Sequence, residues 1–163
     1  MPDSRPSDQR LEQNWETPAL EDIPGISRAH VAALETTDDD AVWTPNGQHL
    51  VVLTTVGRRS GTEHKVALPL WWDPEGVRVV VASFAGARGH PAWYVNLADR
   101  SANPTVAVRA QGHAYRSVPD ILDGDAYRRT WDLLTADRAW YLDYQAKTER
   151  RIPLVRLPET GPA

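Results

Sequence analysis

The residues best equipped for chemistry fall in three short segments. In the first, Gly57-Arg58-Arg59-Ser60-Gly61 runs on to His64 and Lys65, so four potential cations and a hydroxyl crowd into eight residues. A phosphoryl group asks for that combination: charge-assisted donors, and glycines that let the main chain come close. A solvated basic turn between two strands would read the same. In the second, Ala82, Ser83, Ala85, Gly86, Ala87 and Gly89 leave the main chain accessible ahead of Trp93 and Tyr94. That suits a flat ring, and equally a glycine-containing loop leading into a helix whose Trp belongs to the core. In the third, Trp140, Tyr141 and Tyr144 lie within about one helical turn. Two phenols there could donate a proton or a hydrogen bond, or simply form a core stripe.

Other chemistries are excluded. The chain has no Cys, which removes disulfides, thiolate metal sites and a cysteine nucleophile. The serine-hydrolase elbow, the Walker loop, the HExxH helix, the EF-hand loop and the dinucleotide fingerprint are all absent. The five His, at 30, 49, 64, 90 and 113, are too dispersed to indicate a metal centre, and no metal is expected. The net charge of −4 hides a division: residues 1–40 carry 10 acidic side chains against 3 Arg, leaving the remainder mildly basic. Sixteen of the 18 bases are Arg, which suits bidentate contacts to phosphate or carboxylate, although Arg-biased codon usage gives the same count. No broad basic face is evident, so no nucleic acid partner is expected. No apolar run approaches the roughly 18 residues of a membrane span, and the polar, proline-punctuated first 25 residues lack the apolar block of a signal peptide. A cytoplasmic location without an integral membrane segment is the expectation.

The elements that must position these segments can be read from pattern. A chain of 163 residues is one domain's worth. Residues 1–24, with four Pro and little periodicity, read as a mobile arm able to fold over a site, and residues 25–163 as the folded domain. Ser27 is a plausible cap for a helix over 28–35. Val-, Leu- and Thr-rich runs at 49–56, 65–72 and 77–84 read as strands of a meander, the last two joined by the Asp73-Pro74-Glu75-Gly76 turn. A short helix is expected from Pro91, and a hairpin over 105–110 and 114–122 about Gln111-Gly112. Tyr127, Trp131 and Leu134 mark a helix from Asp125, a second spans about 138–147, and 152–157 is the last strand. Six strands with few helices and no βαβ alternation indicate a mainly β, α+β domain: a single small antiparallel barrel with peripheral helices. Seven Trp either fill its core or line a flat apolar pocket.

Taken in order, VVLTTVGRRSG, then VVVASFAGARGHPAWYVNL with ANPTVAV, then YLDYQAKTERRIPLV resemble the deazaflavin-dependent nitroreductase family over about residues 45–158. The resemblance implies a split β-barrel like that of the flavin-binding pyridoxamine-phosphate oxidases, with coenzyme F420 as hydride donor. It implies that the cofactor's phosphate and glutamyl tail fall to Arg58, Arg59, Ser60 and Gly61, with His64 and Lys65 in the following positions. It further implies that Ala82, Ser83, Gly86, Trp93 and Asn96 lie along the deazaflavin ring. Two positions depart from the family pattern. Phe84 stands where relatives commonly have Lys, and Arg138 replaces the first of a series of tyrosines, so the acceptor pocket is expected to differ.

The implied reaction is hydride transfer from reduced deazaflavin to a flat activated acceptor such as a quinone, an enone or a nitroaromatic. Tyr141, Tyr144 and Ser83 are the candidate proton or hydrogen-bond donors, Tyr141 first. Two alternatives stand beside it: FMN in the same fold, its single phosphate using the same Arg pair, and a carrier that binds a cofactor or apolar ligand without turnover. A homodimer is expected by analogy with related barrels.

Overall fold

The run from Leu50 to Leu53 is buried without a break, which a half-exposed strand could not be. The computed structural model, which describes residue 6 and residues 8–163, shows why. Successive side chains of a strand point to opposite faces. Val51 and Leu53 enter the barrel interior, while Leu50 and Val52 pack with Val31, Leu34 and Trp43 beneath two N-terminal helices. Both faces of this strand are therefore covered. The same alternation sends Trp72 and Val80 inward, and Trp71 and Val79 outward against the C-terminal helices.

Residues 8–22 lead into helix α1 (Ile23–Leu34) and the single turn α2 (Asp40–Trp43). Strands β1 (Leu50–Val56), β2 (Glu63–Pro69), β3 (Trp71–Trp72) and β4 (Arg78–Val81) precede α3 (Ala92–Ala98). Strands β5 (Val106–Ala110), β6 (His113–Ser117) and β7 (Asp120–Ile121) follow. Helices α4 (Gly124–Asp137) and α5 (Trp140–Ala146) and the short strands β8 (Leu154–Arg156) and β9 (Gly161–Pro162) complete the chain. All pairings are antiparallel, in one sheet ordered β2-β1-β5-β6-β9 and a second ordered β3-β4-β8-β7. This is a split barrel, mainly β with peripheral helices.

Three elements differ from the sequence reading. The run 65–72 is two strands: β2 pairs with β1 up to Pro69, and the next two residues cross to β4 in the other sheet. The run 114–122 divides likewise around Pro119, which has no N–H to give a ladder. Helix α1 starts at Ile23 with Pro24 in its first turn, and Ser27 lies inside it. The Ser27 hydroxyl accepts the main-chain N–H of Ala67, 3.1 Å away, and so satisfies a donor on the edge strand of the first sheet.

Of the residues assigned to the N-terminal arm, 1–5 and 7 lie outside the described residues. Beyond them, Gln9 and Leu11 anchor the stretch to β3 and to the end of the long C-terminal helix. Gln9 makes two hydrogen bonds of 2.8 Å with the main chain of Trp72, and Leu11 donates to the Asp137 carbonyl at 3.0 Å. No helix among the described residues is long and apolar enough to cross a membrane.

Candidate functional site

A cleft of about 1290 Å³ runs between α1, the β1–β2 corner, the loop after β4, the start of α3, α5 and the N-terminal stretch. Its basic end is the corner itself. Gly61 donates to the Gly57 carbonyl at 2.9 Å and Gly57 to that of Thr62 at 2.8 Å, which folds the Arg-Arg-Ser segment into a compact turn. A Cβ on Gly57 would meet the Ser60 hydroxyl and come within 2.9 Å of His64 Nε2, so any larger residue there must displace both side chains. At Gly61 a Cβ would meet nothing, but the φ of 71° is one that favours glycine.

Two asparagines fix the direction of Arg58. Asn96 Oδ1 accepts both the Arg58 main-chain N–H, at 3.2 Å, and Nη1 of its guanidinium, at 2.9 Å. Asn103 in turn donates to the carbonyls of Asn96 and Val56, each at 2.8 Å, and accepts the Val56 N–H at 2.7 Å. Arg58 is thus held from β1 and α3 together. Asn103 is 1% exposed, so an apolar replacement strands two main-chain groups of Val56. Asn103→Ala is expected to lower the free energy of unfolding by about 2 kcal/mol, read from the urea midpoint.

Lys65, expected to face the cofactor, forms an ion pair of 2.6 Å with Glu35 at the end of α1. Its charge is already partnered across the cleft mouth. Arg59, Ser60 and His64 share the wall with Arg58.

The long wall carries Ser83, Phe84, Ala85 and Trp93. Phe84 and Ala85 both have left-handed φ, 45° and 52°, followed by Gly86 at 79°. Such residues cost of order 1–3 kcal/mol each and persist only where the surroundings overdetermine them. Arg150 supplies the restraint. Its guanidinium donates to the carbonyls of Ala82 at 3.1 Å, Ser83 at 2.7 Å and Ala87 at 2.9 Å, and to His90 Nδ1 at 3.2 Å. Burial, reinforced by the Arg150 charge, holds His90 below its ordinary pKa, which keeps the imidazole neutral and able to accept that bond. Gly86 meets α5 so closely that a Cβ would lie 2.6 Å from the Tyr144 carbonyl. The loop and the tyrosine helix are therefore packed in direct main-chain contact.

At the far end Tyr141 and Tyr144 reach the cleft from α5, their rings 6.0 Å apart and nearly perpendicular. Burial pushes the Tyr141 phenol up to about 12, against a smaller opposing pull from the Arg138 charge. It is a neutral proton donor throughout the physiological range. The seven Trp divide between both uses: Trp43, Trp71 and Trp72 are core and Trp131 packs half-buried against it, whereas Trp15, Trp93 and Trp140 line the cleft.

Arg58, Arg59, Ser60, His64, Lys65, Ser83, Trp93, Asn96, Tyr141 and Tyr144 thus share one cleft. Gly61, Ala82 and Gly86 are not on its wall; Ala82 is fully buried, with its carbonyl taken by Arg150. Arg138 is 2% exposed and turned away, its Nε donating to the Gln9 carbonyl at 3.0 Å. Arg150, Asn103 and the arm residues Trp15 and Thr17 escaped the sequence reading, though Arg150 and Asn103 sit inside segments that carried the resemblance. Among the described residues no group of His, Asp and Glu could hold a metal ion.

The model of one family, F420H(2)-dependent quinone reductase, matches residues 26–159. The chain belongs to this family. It is 28% identical over 116 residues to an F420H(2)-dependent quinone reductase of Mycobacterium tuberculosis, covering 69% of this chain and 75% of the relative. Among solved structures, one described as an F420-H2 dependent reductase (FDR-A) is 33% identical, with a TM-score of 0.56 over 67% of this chain and 93% of that one. Another, described as a domain-swapped dimer, is 29% identical, with a TM-score of 0.60 over 80% of this chain and 94% of that one. The quinone reductase family and the residues of the cleft point to the same cofactor. A compact turn of Arg and Ser donors suits an anionic tail, and the loop from Ser83 with Trp93 offers a flat wall beside it.

Proposed function

We propose that this F420H2-dependent quinone reductase family member reduces a quinone or another flat activated acceptor within the cleft. The observation that carries the reading is one continuous cleft with oriented cations at one end and two buried phenols at the other. Arg58, Arg59, Ser60 and His64 bind the anionic part of the cofactor. The loop from Ser83 to Ala85 and the Trp93 ring flank its flat part and exclude water. When bound, the reduced deazaflavin supplies two electrons as a hydride. Tyr141, kept neutral by its burial, offers a proton or hydrogen bond to the oxygen of the acceptor on which negative charge develops.

Tyr141→Phe keeps the ring and removes the donor. It is expected to lower kcat with menadione about 10-fold and leave F420 affinity unchanged, whereas in a non-catalytic carrier it would alter neither. Comparing F420H2 oxidation by menadione, a cyclic enone and a nitroaromatic tests the acceptor class; the quinone is expected to have the largest kcat/KM. Nothing in the cleft favours FMN over the longer anionic tail. A homodimer belongs to the proposal, supported by the neighbour solved as a domain-swapped dimer. Light scattering should give twice 18.2 kDa.

A further inference from the structure

The N-terminal stretch reaches the phenol end of the cleft by a fixed route. Beyond the Gln9 and Leu11 anchors, Trp15 packs edge-on against Trp140, ring centres 5.0 Å apart. Two residues later the Thr17 hydroxyl lies 3.0 Å from the Tyr144 phenol oxygen, and Gln13 Nε2 donates to that same hydroxyl at 3.1 Å. Trp15, Glu16 and Pro18 form the cleft wall beside Tyr144.

Either hydroxyl can be the donor in the Thr17–Tyr144 bond. A hydroxyl has one proton and two lone pairs. One Thr17 lone pair takes the Gln13 amide, and among the described residues Thr17 Oγ1 has no acceptor within hydrogen-bond reach except Tyr144. With Gln13 already donating to Thr17, one of the two arrangements has Thr17 donating to the Tyr144 oxygen. The phenol's own proton is then left to point into the cleft.

We infer that Thr17 is a positioning residue for Tyr144, turning its O–H toward the acceptor so that Tyr144 delivers the proton that completes reduction. This rests on the function proposed above. Conversion of a quinone to its hydroquinone takes one hydride and one proton. The hydride comes from F420H2, the O–H bond of Tyr144 breaks, a new O–H bond forms on the acceptor's carbonyl oxygen, and the phenolate left on Tyr144 regains its proton from water. The Thr17 donor stabilises that phenolate while it lasts. Tyr141 remains the neighbouring hydrogen-bond donor.

The test uses the full chain with Thr17→Val, Thr17→Ser, Tyr144→Phe and the Val/Phe double variant. With F420H2 and menadione, Thr17→Val should lower kcat about 10-fold with the KM for F420H2 unchanged, and Thr17→Ser should restore it to within about 2-fold. The double variant should be no slower than Tyr144→Phe alone, because Thr17 acts only through that phenol. Independently of turnover, the urea midpoint shifts of the two single variants should sum to more than that of the double variant. Additive losses of kcat, failure of Ser to rescue, a Thr17→Val rate within 2-fold of wild type, or additive midpoints would each overturn the inference. Absence of quinone turnover by the wild-type protein would instead overturn the proposed function, and the midpoint cycle would still decide whether the two hydroxyls are coupled.

Discussion

Replacing Arg150 with Met is expected to lower the free energy of unfolding by roughly 3 kcal/mol and to disable the cleft. Three main-chain carbonyls, of Ala82, Ser83 and Ala87, depend on its guanidinium. Hydrogen bonds to a charged group are worth about 1.5–3 kcal/mol each, but Arg150 is partly exposed and water can replace some of what is lost, so the total falls short of the sum. The functional loss follows from Phe84 and Ala85, whose left-handed conformations have no intrinsic reason to persist once the clamp is gone. Arg150→Lys should recover only a part, since a single ammonium cannot serve a planar fork of carbonyls. Urea unfolding and F420 binding by tryptophan quenching read both effects. A Met variant of wild-type stability with undiminished affinity would show that the loop holds its shape unaided.

Arg58→Met should do the opposite: bind F420 roughly 10–100-fold more weakly while unfolding within about 1 kcal/mol of wild type. The side chain is exposed and its removal leaves Asn96 Oδ1 still accepting the main-chain N–H of residue 58. What disappears is a guanidinium already aimed by Asn96, and with it a charge-assisted contact to the cofactor's anionic part. If affinity were unchanged, the basic turn would be a solvated surface and the anionic tail would have to lie elsewhere. A second-site control is Asn103, whose loss is felt first in stability because its bonds go to the main chain.

Local pattern made the strands and the chemistry-bearing turns legible, because each depends on residues near in sequence. The β1 strand, the Gly57–Gly61 corner, α3 behind Pro91 and the two C-terminal helices all lie where pattern places them. What pattern could not show is where a strand changes partner. Nothing around Pro69 tells that Trp71 and Trp72 leave β1 for β4, since that choice is made by two sheets packing face to face. Short pieces such as Gly161–Pro162, paired with Tyr115 and Arg116, carry no periodicity at all.

The site was legible for the same reason and to the same depth. Arg58, Ser60, Tyr141 and Tyr144 stand out by type and spacing, and they meet in one cleft. Lys65 stands out equally, but its partner Glu35 is 30 residues away and takes its charge. The groups that orient the site, Asn103, Arg150 and Thr17, act over separations of 47, 63 and 127 residues, and a single Asn, Arg or Thr has no local signature. The N-terminal stretch shows the limit most clearly. Its polar, proline-rich composition reads as an arm, yet Gln9 finds a specific partner on the barrel and Leu11, Trp15 and Thr17 find theirs on α4 and α5.

Binding of reduced F420 in this cleft and its use on a quinone are open to a single experiment. The most direct measurement is an anaerobic titration of the purified protein with F420H2 and, separately, with FMN, following quenching of its tryptophans and then adding menadione. With Trp15, Trp93 and Trp140 on the cleft wall, saturable quenching by F420H2 is expected, no comparable response to FMN, and oxidation of the bound cofactor once the quinone is added. Saturable binding of FMN in place of F420H2 would give the cleft a different cofactor, and bound F420H2 that menadione leaves reduced would mean that the protein is no quinone reductase.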